Sequence, residues 1–138
     1  SVREEPADDR VRAHLSLEPG SSVVVLERVR SARREPIIFS IDTFPRKLVV
    51  GELQPEAFTG SLLALMEGQW GARLAYSKAV ISAVMLDPLL SQRIGVPEGL
   101  PWILLEQLNY DPQDRPILFS KDYHRGDKFQ FRVLRRRR

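Results

Sequence analysis

The sequence has 138 residues, 43% of them hydrophobic, which is enough to bury the core of one domain. Its 21 Lys and Arg against 18 Asp and Glu give a net +3, but four positives are the terminal Arg135-Arg136-Arg137-Arg138, and without them 17 (21 minus 4) face 18, a net −1. The basic pI of about 9.6 therefore belongs to the tail, which argues against a basic face built for nucleic-acid phosphates, and the lack of cysteine excludes disulfides, thiol nucleophiles and thiolate metal sites.

In chain order, Ser1 to Glu5 reads as a strand with no leader before it, as expected of a domain that follows another in a longer protein. Asp8 or Asp9 then caps a helix that is expected to stop near Gly20. The apolar run Val23-Val24-Val25-Leu26 predicts a buried strand. It continues into Glu27-Arg28-Val29-Arg30, and the polar turn from Ala32 to Glu35 returns it as a second strand through Pro36 to Asp42. An insert over residues 45 to 72 follows. Pro45 breaks the strand and Pro55 opens a short helical turn. Thr59-Gly60-Ser61 caps a helix from about Ser61 to Gln69, where Leu62, Leu65, Met66 and Trp70 recur at helical spacing. Beyond it, Asp87 with Pro88 starts another helix that is expected to stop near Gly99. The strands around Trp102 and Ile117 join through Asp111-Pro112-Gln113-Asp114, and Phe129 to Leu134 alternates as a last strand. No apolar stretch reaches the roughly 20 residues of a membrane span, and nothing reads as a signal peptide. A cytoplasmic location is expected.

The elements repeat. At an offset of 79, Val23 to Glu27 falls on Trp102 to Glu106, Asp8 on Asp87 and Val2 on Ile81; with one residue of slip in the turn, Pro36-Ile37-Ile38-Phe39-Ser40 falls on Pro116-Ile117-Leu118-Phe119-Ser120. Each copy is strand, helix, strand, strand. One α+β domain over residues 1 to 138 is predicted, with a largely antiparallel sheet and packed helices, built from an internal duplication with a helical insert.

Features shared by both copies (Glu27 and Glu106, Phe39 and Phe119, Asp42 and Asp122) point to the scaffold, and features of one copy point to function. Arg28 and Arg30 stand opposite Gln107 and Asn109, so the fold does not require their charge. Two apart on a strand, they share a face with Cα atoms about 7 Å apart. They read either as two solvated arginines or as a clamp for one anionic group. Ile38, Ser40 and Asp42 share one face of the return strand; Leu118, Ser120, Asp122 and His124 share the equivalent face of its copy, giving a polar floor beside the arginines. Ser61 at a helix start adds amides that favour an anion, or is a cap alone.

Catalytic readings find little support. His14 and His124 lack metal-ligand spacing, and there is no G-x-S-x-G, P-loop or G-x-G-x-x-G. No metal, cofactor or catalytic residue is expected. Arg125-Gly126-Asp127 reads as a turn, and Tyr123 and His124 either line a pocket or cover the sheet.

Arg28-Val29-Arg30, Glu35-Pro36-Ile37, Gly60-Ser61-Leu62, Ile94-Gly95-Val96 with Gly99 and Pro101, and Arg125-Gly126-Asp127-Lys128-Phe129-Gln130-Phe131 occur in the order seen in UTRA domains. The chain thus resembles the effector-binding domains of the HutC subfamily of GntR transcription regulators, similar in fold to chorismate lyase. The resemblance implies a small-molecule effector held between sheet and insert and a homodimer formed through this domain. DNA contact would come only through an N-terminal winged helix-turn-helix absent from this sequence. Carried over by position, the anion-binding pair is Arg28 and Arg30 and the helix-start serine is Ser61. Ser40 and Leu118 stand where sugar-phosphate-responsive members carry glutamates, and His124 where they carry a tyrosine. An anionic, less hydroxylated effector is expected. The alternatives are a chorismate-lyase-like enzyme acting on a small acidic substrate, and a dimerisation module with a vestigial pocket.

Overall fold

The computed structural model describes residues 1–137; Arg138, the last of the terminal arginines, lies outside the described residues. The elements are β1 (Val2–Pro6), α1 (Asp9–Leu15), β2 (Ser22–Ala32), β3 (Glu35–Pro45), α2 (Leu62–Gln69), β4 (Tyr76–Met85), α3 (Pro88–Ile94), β5 (Pro101–Tyr110) and β6 (Pro116–Arg125). Short 3-10 turns at Arg46–Leu48 and Pro55–Phe58 lead into α2. All six strands form one antiparallel sheet in the order β1-β2-β3-β6-β5-β4.

That order is the predicted duplication in three dimensions. β1-β2-β3 is one copy and β4-β5-β6 the other, and they meet where β3 pairs with β6. Ile41 pairs with Lys121, its own equivalent, so a pseudo-twofold axis passes between them. The helices cross this axis. His14 of α1 stacks on Phe119 of the second copy with ring centroids 4.5 Å apart, and its equivalent Arg93 of α3 lies 5.7 Å over Phe39 of the first. Arg93 also reaches Glu27 at 3.5 Å, and Arg10 of α1 reaches Glu106 at 3.9 Å. The duplicated phenylalanines and glutamates are therefore scaffold, each holding the other copy's helix.

Side-chain alternation splits the core between the two sheet faces. Leu15, Val23, Val25 and Phe119 bury the face under α1. Val24, Leu26, Phe44 and Leu118 bury one end of the opposite face beneath the insert, which contributes Phe58, Leu62, Leu65 and Met66. The insert covers only that end. Beside it the face carries Arg28, Arg30, Ser40, Asp42, Ser120 and Asp122.

Two expectations are corrected. The helices do not run on to Gly20 and Gly99: α1 ends at Leu15 and α3 at Ile94, and the left-handed residues that end them are Ser16 (φ 51°) and Gly95 (φ 76°). The later glycines turn the loop that follows, with φ of 83° and 81°. Nor do Phe129 to Leu134 form a strand. The segment follows β6, which lies at the centre of the sheet with β3 and β5 already paired on its two sides, so it has no free strand beside it to pair with. Its alternating aromatics instead meet one ring: Phe129 and Phe131 lie edge-on to His124 at 5.2 and 5.0 Å.

The turn that starts this segment has a strict steric requirement. Gly126 donates its N–H to the Pro101 carbonyl at 2.8 Å, and a Cβ at Gly126 would lie 2.6 Å from that oxygen. Backbone must move to admit it. Gly126→Ala is expected to lower stability by about 1–3 kcal/mol, read from the denaturant midpoint; an unchanged midpoint would show that the β5–β6 contact yields freely. Arg125, on the other side, donates to Asp127 at 2.8 Å, so the Arg-Gly-Asp letters close a local turn.

Candidate functional site

The uncovered end of the insert face is a cavity of about 840 Å³, within the range of small-molecule sites. β2 supplies Arg28 and Arg30, β3 supplies Ile38, Ser40 and Asp42, and β6 supplies Leu118, Ser120, Asp122 and His124. Gln107 and Asn109 of β5 extend the floor, and Thr59 to Leu63 of the insert form the opposite wall. The structure thus brings Arg28, Arg30, Ser40, Ser61, Leu118 and His124 to one cavity. Tyr123 faces the other side of the sheet, tilted on Phe39 at 6.0 Å.

The register explains the assembly. Arg28 pairs with Ser40, which pairs with Asp122; one side-chain step away, Arg30 pairs with Ile38, which pairs with His124; one step the other way, Asp42 pairs with Ser120 and Ser120 with Gln107. Every second residue of four strands therefore faces the cavity.

Arg28 and Arg30 are not equivalent. Arg28 donates one Nη to the Gly60 carbonyl at 3.0 Å and the other to Asp42 Oδ2 at 3.1 Å, tying the sheet to the insert. Asp42 is 5% exposed. Burial pushes its carboxyl above the ordinary carboxylate range, the nearby Asp122 charge adds to this, and the Ser120 hydroxyl and Arg28 oppose it. Arg30 is exposed at the cavity mouth and forms no ion pair among the described residues. Its guanidinium is free for a ligand.

The wall above is the start of α2. Ser61 is the N-cap, its hydroxyl accepting the Ala64 N–H at 3.2 Å, so the hydroxyl serves the helix while the first-turn amides and positive dipole end border the cavity. Leu118 is buried at the base, joined to the apolar cluster under the insert. Asn109 does not mirror Arg30's freedom: it donates to the Leu118 carbonyl at 3.1 Å and accepts from Ser77, bracing β5.

Asp42 and Asp122 read as scaffold in the sequence because both copies have them, while strand parity puts them on the polar floor; the pseudo-twofold axis sets both in the cavity. The Gly60 carbonyl, partner of Arg28, has no signal in the sequence. Among the described residues no His, Asp and Glu cluster could hold a metal ion, and no helix is long and apolar enough to cross a membrane.

Residues 1–130 match the family model of the UTRA domain. Among solved structures, the ligand-binding domain of a GntR-family transcriptional regulator from Bordetella bronchiseptica superposes with a TM-score of 0.88 at 23% identity, covering 99% of this chain and 87% of that one. The effector domain of PhnF from Mycobacterium smegmatis gives 0.88 at 22%, covering 99% and 84%. A GntR-family regulator from Enterococcus faecalis V583 gives 0.86 at 23%, covering 98% and 96%. At these identities the structural likeness is one of fold.

Proposed function

This chain belongs to the UTRA domain family, and from that membership and the cavity we propose that it is the effector-sensing domain of a HutC-type GntR transcription regulator, acting in the cytoplasm and binding a small anionic effector without turning it over. The observation that carries the reading is Arg30, a guanidinium with no ion pair among the described residues, at the mouth of a cavity that the α2 N-terminus also borders. A guanidinium and a positive helix end both favour an anionic group there, which supports the reading. Ser40 and Leu118 stand in the lining where sugar-phosphate-responsive members carry glutamates, so the cavity is less suited to a polyol than theirs. A ligand that contacts both the sheet and the insert favours the arrangement in which the two are closed together. That shift reaches DNA through a winged helix-turn-helix domain of the full regulator.

A thermal-shift screen of phosphorylated and carboxylated metabolites tests the reading. A ligand at 100 times its Kd adds about 2.7 kcal/mol to stability. A tightest ligand that is a neutral sugar would contradict it, as would product formation from any ligand.

The same reading makes the chain a homodimer through β4. One sheet edge, β1, carries Arg3, Glu4, Glu5 and Pro6, which discourage edge pairing. The other, β4, has Lys78 as its one charge in ten residues and leaves Val80, Ile81 and Met85 at 60, 56 and 60% exposure. A second copy's β4, antiparallel across a twofold axis, satisfies both the open ladder and the apolar side chains. Sedimentation is expected to give a dimer that Ile81→Lys converts to a folded monomer; a wild-type monomer at all concentrations would contradict it.

A further inference from the structure

The charges of the cavity balance only in part, and the duplication shows where the remainder lies. Asp42 and Asp122 are equivalent positions related by the pseudo-twofold axis, flanked by Ser40 and Ser120, which are equivalent to each other. Asp42 is neutralised by Arg28 at 3.1 Å. The residue equivalent to Arg28 is Gln107, which carries no charge. Asp122 consequently lines the cavity with no ion pair or side-chain hydrogen bond among the described residues, although its mate has both. The second copy keeps the carboxylate and lacks its counter-cation.

We propose that the effector supplies that missing cation: resting on the effector-binding reading above, the cavity is built for a zwitterion whose anionic group sits on Arg30 and whose ammonium sits on Asp122, in the place equivalent to the Arg28 guanidinium. Arg30 and Asp122 lie two strands and one side-chain step apart, roughly 12 Å between Cα atoms by strand geometry. Arginine and aspartate reaching inward from these positions leave the length of a short aliphatic tether. A doubly anionic ligand without an ammonium would set its charge against an unneutralised Asp122. An ammonium converts that repulsion into a charge-assisted hydrogen bond. Ser40, between Arg28 and Asp122 in the register, and Ser120, beside Asp122 on β6, provide hydroxyls around the bound group.

Probes matched except for the amine test this. Calorimetric titration of the chain with phosphoethanolamine against ethyl phosphate, with β-alanine against propionate, and with glycerol phosphate as the hydroxylated comparison, gives the selectivity directly. The amine-bearing member of a pair is expected to bind about tenfold tighter or more, and Asp122→Asn is expected to erase that preference while ethyl phosphate binds at least as well as to the wild type. Arg30→Ala weakens both members of a pair equally. Ethyl phosphate or glycerol phosphate binding as tightly as phosphoethanolamine, or a preference that survives Asp122→Asn, overturns the zwitterion and leaves the anionic-effector reading standing. Binding by none of the probes overturns the zwitterion as stated; the reading of the site as an effector pocket falls separately, if the wider metabolite screen also finds no ligand.

Discussion

Arg30→Ala is expected to weaken binding of the anionic effector by roughly 10- to 150-fold while barely moving the stability of the ligand-free chain. A hydrogen bond to a charged group contributes about 1.5–3 kcal/mol, and each 1.4 kcal/mol is a factor of ten in Kd. Arg30 is exposed and unpaired among the described residues, so its removal costs the fold little; surface changes of this kind stay within about 0.5 kcal/mol. Arg28→Ala is the informative contrast. It strips a buried carboxylate of its cation and frees the Gly60 carbonyl, so it is expected to cost about 1–3 kcal/mol of stability as well as affinity. Calorimetry and thermal melts on both variants separate the roles. Equal effects of the two on stability, or no loss of affinity in Arg30→Ala, would contradict the division of labour between them.

Phe44→Ala is expected to have the largest effect on the fold. Phe44 is fully buried on β3, with ring centroids 5.5 Å from Trp70 and 6.4 Å from Phe58, and these are the contacts that fasten the insert to the sheet. Removing a buried phenylalanine costs about 3–5 kcal/mol, a large share of the roughly 5–15 kcal/mol that holds a domain of this kind together. The loss extends to function because Gly60 and Ser61, one wall of the cavity, ride on the insert. Urea denaturation should show a lower midpoint, and binding should weaken even where the chain remains folded. A variant that unfolds earlier yet binds unchanged would show that the wall is held by the Arg28 contact alone.

The scaffold was legible because it is written twice. An offset of 79 residues aligns Val2 with Ile81, one further residue of slip aligns Phe39 with Phe119, and strand parity sets Ser40 and His124 on equivalent faces beside the arginine strand. Where helices stop was less legible: Gly20 and Gly99 look like stop signals, but Ser16 takes the left-handed conformation that glycine usually supplies. Phe129 and Phe131 alternate as a strand does, and only the sheet order reveals that the strand they follow, β6, already has a partner on each side. The difference between the two arginines was out of reach. It depends on the Gly60 carbonyl, a backbone atom 32 residues from Arg28 in sequence, brought there by the insert's packing. Strand parity puts Asp122 on the polar floor, but its presence in both copies points to scaffold, and only the structure shows it in the cavity with no ion pair among the described residues.

The most direct measurement is a crystal structure of the chain with the tightest ligand from the screen. Density for the anionic group is expected between the Arg30 guanidinium and the first turn of α2, in the cavity of about 840 Å³. Density instead in the second cavity, of about 560 Å³ between Leu17, Trp70, Arg73 and Arg115, with the Arg30 cavity holding only solvent, would contradict it.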